Sequence, residues 1–509
     1  MSLPGGEWSD MKIVYIPLDE RPCNYAFAEQ IAQGTPVRMV VPEIGILGNK
    51  KKPADAEALT AFLRKECADA DACVLSLDML LYGGIVPSRI HHLSEGELVS
   101  RLDVIRELKR RNPALKIFAF ALIMRCPSYS SADEEPDYYE TCGREIFLTG
   151  QVKHKRALGV LSEEEAAELL QTYQEKTGTD LVDFERRREI NRSILEMILT
   201  DYRTDLDVFV IPQDDSSAYG YTTVDREYLK QVAAKAGMGE VPMYPGADEV
   251  GMSLVANAAC TLMGRNPAMK LVYAHADSPK MVPLYEDRPV GQTIPVLLNT
   301  SGCRITEEEG DITLYLNYPA KDPREVWQEP SEGYAMRDLE GFCDAIAADV
   351  MDEKLAAVAD CAYCNGGDAE LVQMLDQRID LTQLAAYAGW NTSSNTLGTA
   401  VCQAVFTWLF GKSSQLALFT AQRLYEDVGY CGIVRKEVTA MIEPMGLGYF
   451  DAGETDGQVA QLVRQRLDVH MNRLLPRIAA QYEIDRCRMP WKRMFEVDLT
   501  LKTREGGKL

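Results

Sequence analysis

Histidine, basic charge and long apolar runs are all scarce in this sequence of 509 residues. The five histidines are scattered and only one of them follows a predicted strand, which argues against a zinc or iron centre built from several histidines. Asp and Glu number 77 against 54 Lys and Arg, and the net charge of −23 disfavours nucleic acid and anionic membrane surfaces as partners. No apolar run is long enough to span a bilayer, and we expect no signal peptide.

The sequence also lacks the common signatures of nucleophilic and nucleotide-binding sites. It contains neither a Gly-x-Ser-x-Gly elbow nor a Gly-x-x-x-x-Gly-Lys-Ser/Thr loop. Its thirteen cysteines are odd in number and scattered, which indicates reduced thiols rather than a disulfide framework. The Cys-x-x-Cys spacing at Cys361–Cys364 has no second pair or nearby histidine to complete a zinc site. We therefore expect a cytoplasmic protein without a resident cofactor.

Short apolar or β-branched runs alternate with helical patterns along most of the chain. Strands that are apolar throughout and separated by helices pair in parallel, so the fold class is α/β with a mainly parallel sheet. The predicted strands are Ile13–Leu18, Val37–Val41, Ala72–Leu77, Lys116–Met124, Val208–Ile211, Val241–Tyr244, Leu271–His275, Ile312–Leu316, Ala356–Ala359 and Leu384–Ala388.

These strands outnumber the eight of a single closed barrel, and two architectures stay open. One is a barrel of β-α units with extra strands, and the other is two open sheets in series. We expect an N-terminal α/β domain over residues 12–265 and a second α/β region over 266–400. A mainly helical region over 401–509 would follow, ending in a strand near Met494–Leu501.

A long, highly charged insertion with helical patterning occupies residues 128–203 of the first domain. Its charge runs, Glu163–Glu165 and Arg186–Arg188, are typical of solvated helix faces. A lid over a site is the alternative.

Polar clusters follow nearly every predicted strand. Parallel strands end at the same edge of their sheet, and such folds place their sites there. Helix capping explains any one cluster, but so many clusters that mix Asp, Arg, Asn and Tyr exceed what capping requires. The residues that we expect to bind and orient a substrate at this edge are Asp19, Arg21, Asn24, Asp78, Tyr82, Arg89, Arg125, Tyr219, His275, Asn365, Asp368, Trp390 and Asn391.

Two pairs of adjacent carboxylates, Asp214–Asp215 and Asp248–Glu249, are the candidate catalytic groups. Two carboxyl groups in one cleft can differ in proton affinity, so that one acts as an acid and the other as a base or nucleophile. Glycoside hydrolysis uses this arrangement. We therefore predict a hydrolase of carbohydrate or of a similar polyhydroxylated substrate, with Asp214 and Asp215 as the first candidates. Asp248–Glu249 directly precedes an apolar helical pattern, so a capping role there is an equal alternative.

Two other functions remain open. Clustered Asp and Asn oxygens also suit Mg²⁺ or Mn²⁺, and the same carboxylates would then serve a hydrolase of phosphate or amide bonds. Alternatively, the strand-end groups would bind a small polar molecule without turnover. The oligomeric state is not indicated by the sequence.

Several of these clusters also carry a family resemblance. The motifs are Pro17–Asn24, Asp78–Gly84, Gln213–Asp215 with Tyr219–Gly220, Gly246–Glu249 and Gly389–Thr392. In these motifs and their order, the sequence resembles a bacterial family known as a domain of unknown function, DUF4127. The resemblance runs from residue 12 to beyond residue 400, and it implies a single cooperative architecture. It supplies no catalytic residues.

Overall fold

Two parallel β-sheets of five strands each organise the chain in the computed structural model, which describes residues 10–214, 216–237 and 241–504. The strands of the first sheet are β1 (Met11–Ile16), β2 (Val37–Val40), β3 (Ala72–Ser76), β4 (Lys116–Phe120) and β5 (Val208–Val210). Their order across the sheet is β2-β1-β3-β4-β5, and every neighbouring pair is parallel.

The second half of the chain repeats this arrangement. Its strands are β6 (Ala268–Tyr273), β7 (Arg304–Thr306), β8 (Ile312–Leu316), β9 (Arg324–Glu325), β10 (Ala356–Ala359), β11 (Tyr363–Cys364) and β12 (Ala386–Ala388). The second sheet has the order β12-β10-β8-β6-β7, again all parallel, while β9 and β11 pair with each other. In each sheet the strand that comes first in the chain lies between the next two: β1 lies between β2 and β3, and β6 lies between β7 and β8. This order creates a crevice at the carboxyl ends of the strands.

Helices connect the strands and cover the sheets. In the first half they are α1 (Pro22–Tyr25), α2 (Phe27–Ala32), α3 (Ala56–Glu66), α4 (Leu77–Tyr82), α5 (Pro87–Ile90), α6 (Glu95–Arg111), α7 (Tyr139–Ala157), α8 (Glu163–Thr177), α9 (Asp180–Met197), α10 (Tyr221–Lys235) and α11 (Val250–Met263). In the second half they are α12 (Val290–Thr300), α13 (Glu332–Ala335), α14 (Leu339–Met351), α15 (Ala369–Asp376), α16 (Ser393–Phe410), α17 (Ser414–Arg423), α18 (Arg435–Ile442), α19 (Gln458–Leu474) and α20 (Pro476–Gln481). Among the described residues, no helix is both long and apolar enough to cross a membrane.

Two apolar helices hold the sheets together. α11 packs on the first sheet, α16 packs on the second, and the two helices pack against each other. A helix that is apolar on nearly all sides must be buried on nearly all sides, and both helices lie within one continuous core. The carboxyl ends of both sheets and the amino ends of α11 and α16 consequently meet in one region.

The α/β class with mainly parallel sheets is confirmed, and of the two architectures left open the structure has two open sheets. The predicted strand Val241–Tyr244 was wrong. This segment lies beside β5, with the N–H of Ile211 donating to Pro242 and the N–H of Gln213 donating to Tyr244. The neighbouring Pro242 and Pro245 have no N–H, so the ladder is not completed.

The charged insertion contains α7, α8 and α9, as its helical patterning indicated. Glu163–Glu165 lies exposed in the first turn of α8, as expected for a solvated helix face. For the run Arg186–Arg188 the same expectation was wrong at two of the three arginines. Arg187 and Arg188 are buried in ion pairs with Asp183 and Asp225.

The C-terminal region is mainly helical and ends in an antiparallel hairpin of β13 (Tyr482–Arg488) and β14 (Asp498–Thr503). The terminal strand β14 therefore begins at Asp498, later than the predicted start at Met494. Between α17 and α18 the chain forms a π-helix over Leu424–Val434, which contributes buried side chains to the second core.

Candidate active site

A cleft of about 340 Å³ lies between the carboxyl ends of the two sheets. Loops that follow β1, β4, β5, β6, β8, β10 and β12 all contribute to its wall, so residues far apart in the sequence meet there. Of the residues predicted from the sequence, those that line it are Arg21, Arg89, Arg125, Asp214, Asp248, Asn365 and Asn391.

Asp214 is held by two arginines on the side of the cleft formed by the first sheet. Its Oδ2 accepts hydrogen bonds from Nη2 of Arg89 at 2.7 Å and from Nη1 of Arg125 at 3.5 Å. Both guanidinium groups are buried and also bind the buried carboxylate of Glu135. Asp214 is thus held at the cleft wall by two guanidinium groups, in a position that suits a base, a nucleophile or an acceptor of substrate hydroxyl groups.

Glu134 joins this network to the C-terminal segment. Its carboxylate binds Arg89, Arg125 and Arg493, and the last of these lies between β13 and β14. Burial opposes ionisation of Glu134, but the three guanidinium groups outweigh it and hold its pKa well below the ordinary value. We infer that Glu134 is a fixed counter-ion which ties the C-terminal segment to the cleft.

Asp248 is anchored at the centre of the cleft by groups that follow β1. Its Oδ1 accepts hydrogen bonds from Nη2 of Arg21 at 2.6 Å and from Nδ2 of Asn24 at 2.9 Å. The same two donors bind the buried carboxyl of Asp19. Burial raises the pKa of Asp19, and Arg21 offsets only part of that effect. Asp19 and Asn24 thus support the cleft from beneath, while Asp248 is exposed to it.

Glu249 lies under the cleft rather than in its wall. It is fully buried, and its Oε2 accepts hydrogen bonds from the N–H of Ala247 and from Nδ2 of Asn395, both at 3.1 Å. Burial raises its pKa to about 8, so it is mostly protonated at neutral pH. Its side chain does not cap α11. The sequence pair Asp248–Glu249 is therefore divided between the surface of the cleft and the layer beneath it.

Two further carboxyl groups line the cleft and were missed by the sequence reasoning. Oε1 of Glu286 accepts hydrogen bonds from the N–H and the Oγ–H of Ser394, at 3.0 and 2.9 Å. Glu325 accepts hydrogen bonds from the hydroxyl of Tyr285 at 2.6 Å and from Nδ2 of Asn365 at 2.9 Å. Glu286 lies in the long loop between β6 and α12, and Glu325 lies in the two-residue strand β9, so neither directly follows a predicted strand.

The C-terminal segment also completes the wall, which no sequence signal indicated. Arg493 and Phe495 line the cleft. The ring of Trp491 contacts two guanidinium groups, with its centroid 4.7 Å from Cζ of Arg21 and 4.5 Å from Cζ of Arg493. Its Nε1–H donates to Glu20, in the loop after β1. Cation–π contacts and ion pairs hold this segment against the first sheet.

Exposed aromatic side chains surround the opening. Tyr129, Tyr285, Trp327 and Phe450 all line the cleft, with 47%, 52%, 44% and 58% of their surfaces exposed. Large aromatic groups are normally buried, so four exposed ones around a single cleft form an unusual concentration of accessible apolar surface.

The backbone around the cleft is strained. Tyr285, Asn365 and Asn391 have φ angles of 66°, 62° and 50°, a region that residues other than glycine rarely adopt. Such conformations cluster at binding and catalytic sites, where the surrounding structure compensates for their cost.

Several predicted binding residues have structural contacts away from the cleft. The ring of Tyr82 stacks on that of His91 at 4.7 Å, and the ring of Tyr219 lies 5.7 Å from that of His154. Nδ1 of His275 accepts a hydrogen bond from the N–H of Asp277. None of these three predicted residues lines the cleft.

The remaining predicted residues pack behind it. Trp390 donates through Nε1 to Thr399. Asp78 is buried and accepts a hydrogen bond from the N–H of Leu122 at 2.9 Å, and burial raises its pKa to about 7. Asp368 caps α15 and forms an ion pair with Arg337 at 2.7 Å.

No group of three or more His, Cys, Asp or Glu side chains is placed to hold a metal ion within the described ranges. Asp215, which the sequence paired with Asp214, lies outside them. The described carboxylates Asp214, Asp248 and Glu325 are bound by arginine, amide or hydroxyl donors instead.

Comparison with known proteins places the chain in a family. No curated protein and no solved structure matches the chain. A family model described as protein of unknown function (DUF4127) matches residues 13–500, nearly the whole chain, and the protein therefore belongs to the DUF4127 family.

Proposed function

We propose that the protein is an enzyme that hydrolyses a carbohydrate or a similar polyhydroxylated substrate in the cleft between the two sheets. The combination of exposed aromatic side chains at the opening with carboxyl groups and amides inside carries the proposal. Sugar rings present apolar faces that stack on aromatic groups, and their hydroxyl groups bind planar polar side chains.

The charges in the cleft suit a substrate rich in hydroxyl groups. Each of the four lining arginines is already paired with a carboxylate, so these arginines present fixed hydrogen-bonding groups rather than unpaired positive charges. Asp214 and Asp248 supply two carboxyl groups at the cleft wall, the groups that glycoside hydrolysis uses as base or nucleophile. Asn365 and Asn391 would orient hydroxyl groups.

The proposed reaction uses protein side chains and water alone, without a cofactor. Its substrate is a small polar molecule or sugar rather than nucleic acid or a membrane. All thirteen cysteines carry free thiols, which supports a place in the reducing cytoplasm of a bacterial cell.

The test is a panel of glycosides and oligosaccharides incubated with the full chain, with product detection by chromatography. We expect hydrolysis of at least one substrate, unaffected by EDTA. A wild-type protein that cleaves no glycoside would refute the proposal. Activity lost in EDTA and restored by Mg²⁺ or Mn²⁺ would instead support the metal-dependent hydrolase.

A pair of variants tests the aromatic opening directly. Trp327→Ala removes a stacking surface, and the Kd of the substrate is expected to rise about tenfold. Tyr228→Ala is the matched control, because Tyr228 is another exposed aromatic residue that does not line the cleft. Isothermal titration calorimetry with a non-hydrolysable thioglycoside analogue of the best substrate of the panel measures both. Equal affinities for the two variants would contradict a stacking role.

A further inference from the structure

Arg435 differs from every other buried arginine among the described residues. Nine arginine side chains are buried there, and eight of them form ion pairs with Asp or Glu. Arg435, the first residue of α18, is 3% exposed and forms no ion pair with any described residue. Because a buried charge without a counter-ion is costly, this exception requires an explanation.

Backbone carbonyl groups satisfy only part of the guanidinium group of Arg435. Its Nη1 donates to the carbonyl oxygen of Phe495 at 2.8 Å, and its Nη2 donates to those of Asn365 and Cys431. These neutral acceptors leave the positive charge in place. Its Nε makes no hydrogen bond to a described residue, and unlike Nε of Arg423 it is not fully enclosed. The group therefore keeps a charge and an N–H donor for a ligand.

Arg435 lines a small recess that adjoins the cleft, with a volume of about 20 Å³. The recess and the cleft share four lining residues, namely Arg21, Asn365, Asn391 and Phe495. The guanidinium carbon of Arg435 also lies 5.7 Å from the ring centroid of Trp327, which lines the cleft. Since a water molecule needs about 10–15 Å³, the recess holds a group of one or two oxygen atoms rather than a sugar ring.

The carboxyl groups near the recess are engaged elsewhere. Glu426 forms an ion pair with Arg423. Glu496 accepts hydrogen bonds from Nε and Nη2 of Arg493, at 3.1 and 3.0 Å. Burial raises the pKa of Glu426 to about 7 and also raises the pKa of Glu496, which weakens their repulsion of an anion. Glu325 attracts the guanidinium group only from beyond ion-pair distance.

We propose that this recess is a subsite for a carboxylate, and that the substrate is therefore an acidic sugar of the uronic acid class. The inference rests on the proposed function, which puts the sugar ring in the cleft, and adds the charged group that the ring carries. A carboxylate is planar, and its oxygens match the planar N–H groups of a guanidinium group. The tetrahedral head of a phosphate or sulfate ester has more oxygen atoms than the recess holds.

The first measurement uses the wild type alone, so it does not depend on how any variant folds. The ligands are methyl 1-thioglycosides of glucuronic, galacturonic and mannuronic acid, which resist hydrolysis. Each is compared by isothermal titration calorimetry with its uronamide, which has nearly the same shape but no charge. At least one acid should bind about 10–100-fold more tightly than its uronamide, because hydrogen bonds to a charged group are stronger than those to a neutral one. Equal Kd values in all three pairs, or no binding of any acid, would overturn the subsite.

The second measurement assigns the preference to its residue. Arg435→Gln removes the charge but keeps an amide that can donate to the surrounding carbonyl groups. The ratio between the Kd values of uronamide and acid should fall to about one. Arg188→Gln is the matched control, because Arg188 is also buried but lines neither the cleft nor the recess. Its ratio should equal that of the wild type. A preference for the acid that persists in Arg435→Gln would overturn the role of Arg435.

Hydrolysis assays separate this inference from the proposed function. Cleavage of a uronide by a protein that prefers acids supports both. Cleavage of neutral glycosides by a protein that binds acids and uronamides equally overturns the subsite and leaves the hydrolase. A preference for acids that depends on Arg435, without cleavage of any glycoside, refutes hydrolysis and supports the subsite as part of a binding protein for acidic sugars.

Discussion

Replacing Arg21 tests whether the centre of the cleft depends on buried charge pairing. Arg21→Met keeps a long apolar stem but leaves the carboxyl groups of Asp19 and Asp248 without their guanidinium partner. Removing one member of a buried ion pair costs about 3–5 kcal/mol, a large part of the roughly 5–15 kcal/mol that stabilises a typical domain. The contact between the guanidinium group and the ring of Trp491, at 4.7 Å, is lost as well. We therefore expect the free energy of unfolding to fall by about 3–5 kcal/mol near neutral pH.

Urea denaturation followed by circular dichroism measures this loss. Arg64→Met is the control, because Arg64 pairs with Glu107 on the surface, where solvent screens the charges and such pairs contribute little to stability. The loss in Arg21→Met should shrink on acidification, since protonation of Asp19 removes the uncompensated charge. Burial raises the pKa of Asp19 even in the wild type, so this relief begins above the ordinary pKa of the group. A loss below about 1 kcal/mol, or one independent of pH, would refute the reasoning.

Two more predictions concern the layer beneath the cleft. The folded protein binds the proton of Glu249 more tightly than the unfolded chain does, because burial raises its pKa from 4.5 to about 8. Compared with Glu249→Gln, the wild type should lose stability as pH rises between these two values, and parallel pH profiles in urea denaturation would contradict this. Gly246 has a φ of 153°, and a Cβ atom there would lie 2.0 Å from Oε1 of Glu249. Gly246→Ala should therefore lower the free energy of unfolding by about 1–3 kcal/mol. In the control Gly96→Ala the new Cβ has no atom within 4 Å and lies in α6, where alanine favours the helix, so the free energy of unfolding should not fall; equal losses would show that Gly246 is not constrained.

The strands and the position of the cleft follow from local sequence patterns. Runs such as Ala72–Ser76 are apolar throughout because helices cover both faces of the sheet, and this pattern is visible without a structure. Polar residues directly after such runs, for example Arg125 and Asp214, reach the shared edge because parallel strands all end there. Arg89 reaches it from the short helix α5.

The sequence could not show which of two neighbouring polar residues faces the cleft. Asp248 and Glu249 are adjacent, yet one lines the cleft and the other is buried beneath it, since α11 begins at the next residue and packs into the core. Arg187 and Arg188 look solvated in sequence. Arg187 pairs with Asp183, one turn earlier in α9, but the partner of Arg188, Asp225, is supplied by α10.

Local periodicity and strand-end chemistry thus sufficed for the α/β class, for most strands of the two sheets and for part of the cleft, because each depends on residues close together in the chain. Glu286, Arg493 and Trp327 could not be recognised in this way. They reach the cleft through long loops and a C-terminal segment whose positions are set by the packing of α11 against α16 and by ion pairs across the fold. Only the tertiary structure decides such contacts, since the energies that determine them come from residues hundreds of positions apart, as between Arg493 and Glu134.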